Sequence, residues 1–232
     1  MVFDLSRFNI ITFDCYGTLI DWETGILGAI RPILAAHNAH LGDVDILRMY
    51  GEIEAEEESG EYRPYREILQ AVVRGFGTRL GFVPSEKEQH SLPNSLAHWK
   101  PFPDTLAALR QLKQKVKLGI LSNIDDDLFS RTAPQLGIEF DTVVTASQAR
   151  AYKPSPDIFR LAQKRIGFPA EQWLHAGQSI YHDVIPAQSI GVATVWVNRP
   201  SPVPNSGAAK AAQAKPDLEV SSLKQLAELI NR

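Results

Sequence analysis

The sequence predicts an α/β fold, a Rossmann-like parallel sheet core with an inserted helical cap, and three observations predict it. Short β-branched apolar runs alternate with helical patterns of about 10 residues, the signature of βαβ units and of a sheet covered on both faces. One long stretch breaks the alternation and shows only helical periodicity. The residues best suited to chemistry stand just beyond the apolar runs, where such sheets place their ligands.

Taken in order, Phe8-Asn9-Ile10-Ile11-Thr12-Phe13 stops at Asp14 and predicts the first buried strand. From about Trp22 to Trp99 no strand pattern appears, while Ile46, Tyr50 and Ile53, and later Ile68, Val72 and Phe76, recur at helical spacing. That is too long for a loop. The expected division is a core of residues 1–20 and 99–232 and a helical cap of residues 21–98, with Pro101 and Pro103 marking the return to the core. Further strands are expected at Val116–Leu121, Thr142–Thr145, Trp173–Ala176 and Val192–Val197, and helices at Thr105–Gln114, Asp127–Leu136, Asp157–Ile166 and His182–Ile190. The segment RPSPVPNSGAAKAAQAKPD has the content of a surface loop; a short strand at Leu218–Val220 and a helix over Leu223–Ile230, capped by Ser222 or Ser221, follow it. Within GEIEAEEESGEY, the glutamates 52, 54, 56, 57, 58 and 61 predict a solvated helix face.

Composition narrows the function classes. Hydrophobic residues at 44% and charged residues at 22% exclude a disordered chain. A formal charge of −3 gives no basic field for nucleic acid. Cys15 is the sole cysteine, which excludes an intramolecular disulfide and a cysteine metal cluster and fits a reducing compartment. Asp4 and Arg7 interrupt what would be a signal peptide's apolar stretch, and no apolar run reaches the ~20 residues of a membrane span. The expectation is a cytoplasmic protein with no membrane and no nucleic-acid partner.

Chemistry gathers at four stations. Asp14-Cys15-Tyr16-Gly17-Thr18-Leu19 ends the first strand, with Gly17 allowing a sharp turn behind the carboxylate. Ser122-Asn123, Lys153-Pro154, and Gly177-Gln178-Ser179 with Asp183 follow in order. Burial raises a carboxylate's pKa, and a neighbouring ammonium such as Lys153 is expected to reverse that shift and keep Asp14 charged at neutral pH.

In the order and spacing of these motifs and the position of the cap, the chain resembles the haloacid dehalogenase superfamily. The resemblance implies that Asp14 is the nucleophile, Ser122 binds the substrate's anionic group, Lys153 steadies the carboxylate and Asp183 belongs to the fourth motif. Phosphoryl-transferring members of that superfamily place an acid/base aspartate two residues after the nucleophile, where this chain has Tyr16, and a metal-holding aspartate where it has Gln178. A phenol is a poor proton shuttle at pH 7 and an amide a weak ligand for a hard cation. DCYGTL is similar instead to the type II 2-haloacid dehalogenases, which need no metal. That branch implies no cofactor, a small anionic 2-haloalkanoate as substrate, an ester on Asp14, and water activated near Asp183 with Lys153 and Thr18 nearby. Ser122 and the backbone at Asn123 would hold the substrate carboxylate, and Tyr16 would wall the pocket.

The chain departs from that branch at Gln178 and Ile180, where Ser and Asn are expected, and at Phe159, where Tyr is expected. A cap arginine assisting halide departure falls near Arg48 or Met49, with Arg63 and Arg66 as other cap cations, and His182 is read as a wall residue. Two alternatives stay open: a phosphohydrolase with a reduced metal site of Asp14, Asp183 and the Tyr16 carbonyl, and a non-catalytic relative. A homodimer is also left open.

Overall fold

The computed structural model describes residues 4–204 and 207–230. Six strands form one parallel sheet: β1 (Ile10–Phe13), β2 (Lys117–Ser122), β3 (Thr142–Thr145), β4 (Trp173–Gly177), β5 (Ala193–Val197) and β6 (Leu218–Val220), in the order β3-β2-β1-β4-β5-β6. The chain runs outward from β1 to β2 and β3, then crosses back to lay β4 on the other side of β1. That reversal opens a crevice beyond the carboxyl ends of β1 and β4, the place where open α/β sheets bind ligands. Phe13 is in register with both Ile120 and Ala176, so Asp14, Ser122 and Gln178 emerge at one edge.

Alternation along β1 builds the two faces. Ile11 and Phe13 join the apolar cluster that continues into the helical segment, whereas Ile10 packs with Ile158, Phe159 and Trp173 on the opposite face.

Between β1 and Trp99 every regular element is helical: α1 (Trp22–Ala36), α2 (Asp43–Glu58), α3 (Tyr65–Leu80), α4 (Glu86–Ser95) and a 3₁₀ turn at Leu96–His98. The remaining helices are α5 (Thr105–Lys113), α6 (Asp126–Thr132), α7 (Ala146–Ala149), α8 (Asp157–Ile166), α9 (Ile185–Ser189) and α10 (Leu223–Ile230). None of the described helices is long and apolar enough to cross a membrane.

Several expected boundaries shift for local reasons. The pattern over Asp127–Leu136 becomes α6 followed by a 3₁₀ turn at Ala133–Leu136, because Pro134 has no N–H to continue the α-helical ladder. The helix expected at His182–Ile190 starts earlier, as a π turn over Ile180–Val184 capped by the Ser179 side chain, and only then becomes α9. Ser222 rather than Ser221 caps α10, its hydroxyl accepting from the Gln225 N–H. Residues 199–217 hold no helix or strand among those described, while Asn205 and Ser206 of that predicted loop lie outside the described residues, as do the first three residues of the N-terminal segment.

The cap is tied to the core at the start of α3. Pro64 precedes that helix and supplies no side-chain cap. The Asp125 carboxylate fills the role from the β2–α6 loop, accepting from the N–H groups of Tyr65 and Arg66 at 2.9 Å each.

Candidate active site

The crevice holds a small cavity of about 40 Å³, lined among others by Asp14, Tyr16, Trp22, Ser122, Lys153 and Asp183. A larger groove of about 720 Å³ lies between α1 and α4 and contains none of the motif residues.

Asp14 follows β1 directly, and the turn behind it needs Gly17, whose φ of +94° suits glycine. One Asp14 oxygen, Oδ1, accepts from the Lys153 ammonium at 2.9 Å; the other, Oδ2, accepts from the Thr18 hydroxyl at 2.9 Å. The Thr18 hydroxyl in turn accepts from the Gln178 N–H at 2.9 Å. Lys153 is only 1% exposed. Its three donors are all used, on Asp14 Oδ1, on Asp183 Oδ1 at 2.7 Å and on the Leu121 carbonyl at 3.0 Å.

Asp183 swings back over β4 because residue 177 is glycine: a Cβ there would lie 2.3 Å from the Asp183 carboxyl carbon. Its Oδ2 accepts from the Ser179 N–H at 3.2 Å, and its Oδ1 lies 3.2 Å from His175 Nε2. An ionised Asp183 can only accept, so His175 presents Nε2–H to it. His175 Nδ1 then accepts from the Thr12 hydroxyl at 2.9 Å, which accepts from Trp173 Nε1–H at 2.7 Å. A buried relay of hydrogen bonds thus runs from the sheet interior to the Asp183 carboxylate. Phe159 meets the His175 ring edge-on, at 4.8 Å between centroids.

The electrostatics divide the two aspartates. Burial raises Asp14, Lys153 opposes the rise, and Asp183 adds to it, leaving a pKa of about 6. Lys153 therefore offsets burial only partly, against the sequence expectation that it reverses the shift, yet Asp14 is still mostly ionised at pH 7. Burial alone would raise Asp183 too, but Lys153 and His175 outweigh it and hold Asp183 well below the usual range. Burial works against the Lys153 charge as well, and the two carboxylates outweigh it, so Lys153 stays cationic.

Asn123 follows β2 and lines the cavity. Its side chain accepts from the Lys153 N–H at 2.7 Å and donates to the Lys153 carbonyl at 3.1 Å, which fixes the base of the lysine. Tyr16 lines the cavity, its hydroxyl 2.8 Å from that of Thr132 and its ring edge-on to Trp99.

Arg48 is not brought to the cavity. Its side chain is 57% exposed and pairs with Asp45 at 3.0 Å, one turn away on the outer face of α2. Arg63 pairs with Glu57, and Arg66 with Asp127 at 2.6 Å; neither lines the cavity. The glutamate run corrects a second expectation. Glu52 and Glu56 do face outward and pair with Arg79, but Glu54 is only 4% exposed and Glu58 turns into the cavity. The signal was present: Ile46, Tyr50, Glu54 and Glu58 are spaced by four, so the arithmetic that buries Ile46 and Tyr50 buries both acids. His175 was also missed, because it lies inside a predicted strand rather than after one.

A haloacid dehalogenase-like hydrolase family model matches residues 8–191. The chain is 27% identical over 231 residues to an (S)-2-haloacid dehalogenase of Pseudomonas putida, covering 95% of this chain and 96% of that one. It is 25% identical over 201 residues to haloacetate dehalogenase H-2 of Moraxella sp. (strain B), covering 84% and 88%. The structure of L-2-haloacid dehalogenase from Xanthobacter autotrophicus with chloropropionic acid covalently bound superposes with a TM-score of 0.80 at 22% identity, covering 97% of this chain and 98% of that one. With that family model matching residues 8–191 and with its parallel sheet and helical cap, the chain belongs to the haloacid dehalogenase-like hydrolases.

Proposed function

We propose that the protein is a 2-haloacid dehalogenase-like hydrolase that acts on a short 2-haloalkanoate without a metal ion. The observation that carries the reading is the Asp14 carboxylate itself. It is buried, aimed by Thr18, and paired to Asp183 through one shared ammonium, with a phenol two residues on instead of a second acid. Lys153 provides the positive charge between the two carboxylates. The similarity to named 2-haloacid and haloacetate dehalogenases over most of the chain supports the same reading.

The reaction has two steps. An Asp14 oxygen attacks C2 of the substrate, the carbon–halogen bond breaks, and halide leaves with the bonding pair, giving an ester on Asp14. Water then attacks the carbonyl carbon of that ester, with ionised Asp183 as the base at hand. The carbonyl–oxygen bond to the substrate breaks, a proton is released, and the 2-hydroxy acid leaves as Asp14 is regenerated. Ser122, buried and lining the cavity, offers its hydroxyl to the substrate carboxylate. Tyr16 and Trp22 wall the reacting carbon, and burial keeps the Tyr16 phenol protonated.

The test is chloride release from 2-chloropropionate and chloroacetate in excess EDTA, beside hydrolysis of p-nitrophenyl phosphate with magnesium. Chloride release that survives chelation is the expected result. Magnesium-dependent phosphate release with no chloride overturns the reading in favour of a phosphohydrolase.

A further inference from the structure

The cap side of the cavity carries two acids that the dehalogenation steps do not use. α2 presents Glu54 and Glu58 one helical turn apart, and both line the cavity. Glu54 Oε1 accepts from the hydroxyls of Tyr50 at 2.7 Å and Tyr65 at 2.5 Å. Glu58 receives only the Asn123 amide, at 3.3 Å to each oxygen. Facing it at 3.8 Å is Nε2 of His182, a residue 8% exposed whose Nε2 is buried without a hydrogen-bond partner. That gap is too long for a hydrogen bond. The Ser179 hydroxyl, 3.3 Å from His182 Nδ1, can accept that nitrogen's proton and leave Nε2 a bare acceptor.

Among the described residues no lysine or arginine forms an ion pair with these acids, and Lys153 favours the Glu58 charge only from a distance. Lys153 is the sole lysine or arginine among the lining residues, and its donors are spent on Asp14, Asp183 and Leu121. Burial accordingly pushes Glu54 up to about 7 and Glu58 well above the carboxylate range, and pushes the His182 imidazole down to about 4. Without a cation in the cavity the pair therefore holds protons and loses much of its charge at pH 7, whereas a glutamine or leucine would fill the same space with no group to ionise. The acids are therefore explained by something that enters the cavity. An ammonium group has three donors and no acceptor, which suits a cluster of carboxylate oxygens and one bare imidazole nitrogen.

We propose that Glu54, Glu58 and His182 form a subsite for a protonated amine, so that the substrate is a small zwitterionic 2-haloacid with its carboxylate toward Ser122 and its ammonium toward the cap. This rests on the dehalogenase reading for the identity of the leaving group, but the subsite itself does not. The small cavity limits the substrate to a short chain.

Isosteric pairs test it. By calorimetry at pH 7, β-alanine should bind the wild-type protein about tenfold or more tightly than butanoate, which replaces its ammonium by a methyl group of similar size. Glu58→Gln and Glu54→Gln should bring the ratio toward one. Butanoate binding as well as β-alanine, no β-alanine binding, or a preference that survives both substitutions overturns the proposal; where a variant fails to fold, the wild-type ligand pair still decides. Chloride release from 3-amino-2-chloropropanoate against 2-chlorobutanoate is read separately. Should neither release chloride while the β-alanine preference stands, the dehalogenase reading fails and the amine subsite survives.

Discussion

The core and cap walls of one small cavity treat buried charge in opposite ways. On the core wall each charge is answered: Lys153 bridges Asp14 and Asp183, and Thr18, Ser179 and His175 take the remaining carboxylate positions. On the cap wall Glu54 and Glu58 receive hydrogen bonds only from neutral donors, and His182 Nε2, which faces them from the core, receives none. A compensated cluster holds its geometry before any ligand arrives, as preorganised catalysis requires. An uncompensated one is stable only at a cost and gains most from a ligand of matching charge. The difference assigns chemistry to the core wall and, on the proposal above, selectivity to the cap wall.

The largest effect expected on the core wall is that of Asp14→Asn. It should abolish halide release, by roughly 10³-fold or more, since an amide is a poor nucleophile. With the wild-type enzyme in excess in heavy-oxygen water, the first-turnover hydroxy acid should be mostly unlabelled and the label should remain on Asp14. Label going directly into product would leave Asp14 no more than a general base. Lys153→Met comes next. Two buried carboxylates would lose their cation, so stability should drop by about 3–5 kcal/mol in thermal or denaturant unfolding. A Lys153→Met protein as stable as the parent would break the contrast between the walls.

Asp183→Asn should slow ester hydrolysis about 10²-fold, more than it slows halide release, so that mass spectrometry of the intact protein detects accumulated ester. The pH profile sharpens the same point. Asp14 must be ionised to attack and its pKa is raised to about 6, so kcat/KM should fall as pH drops through 6 and level off above it. Asp183 is held low and Lys153 high, so neither adds a limb near neutrality. A rising limb centred near 4 would mean that the raised Asp14 value is not the one governing attack. The smallest effect lies where the walls join. Asp125→Ala removes the cap on α3 and should cost about 1–2 kcal/mol of stability with the core-wall pH limb unmoved.

Much of the core wall was legible in the sequence, because its residues follow apolar strands and a parallel sheet brings strand ends together whatever the loops do. Asp14, Ser122, Lys153 and Asp183 all line the cavity for that reason. His175 escaped because its place mid-strand looks like core, and only the pairing of β1 with β4 sets it beside Thr12. Local chemistry also misled: Pro134 and the π turn at Ile180–Val184 changed helices whose apolar spacing was otherwise regular.

By itself, then, the sequence determined the alternating strands and helices, the long helical interruption and the order of the motif residues. These depend on periodicity and turn chemistry, which act over a few neighbours. Tertiary structure alone decided which face of α2 meets the cavity, sending Arg48 to solvent and Glu54 and Glu58 inward. It also decided that Asp125 caps a helix far along the chain and how far Lys153 offsets burial at Asp14. The physical reason is that charge and burial depend on distances in space, and residues remote in sequence set those distances only once the cap has closed over the sheet.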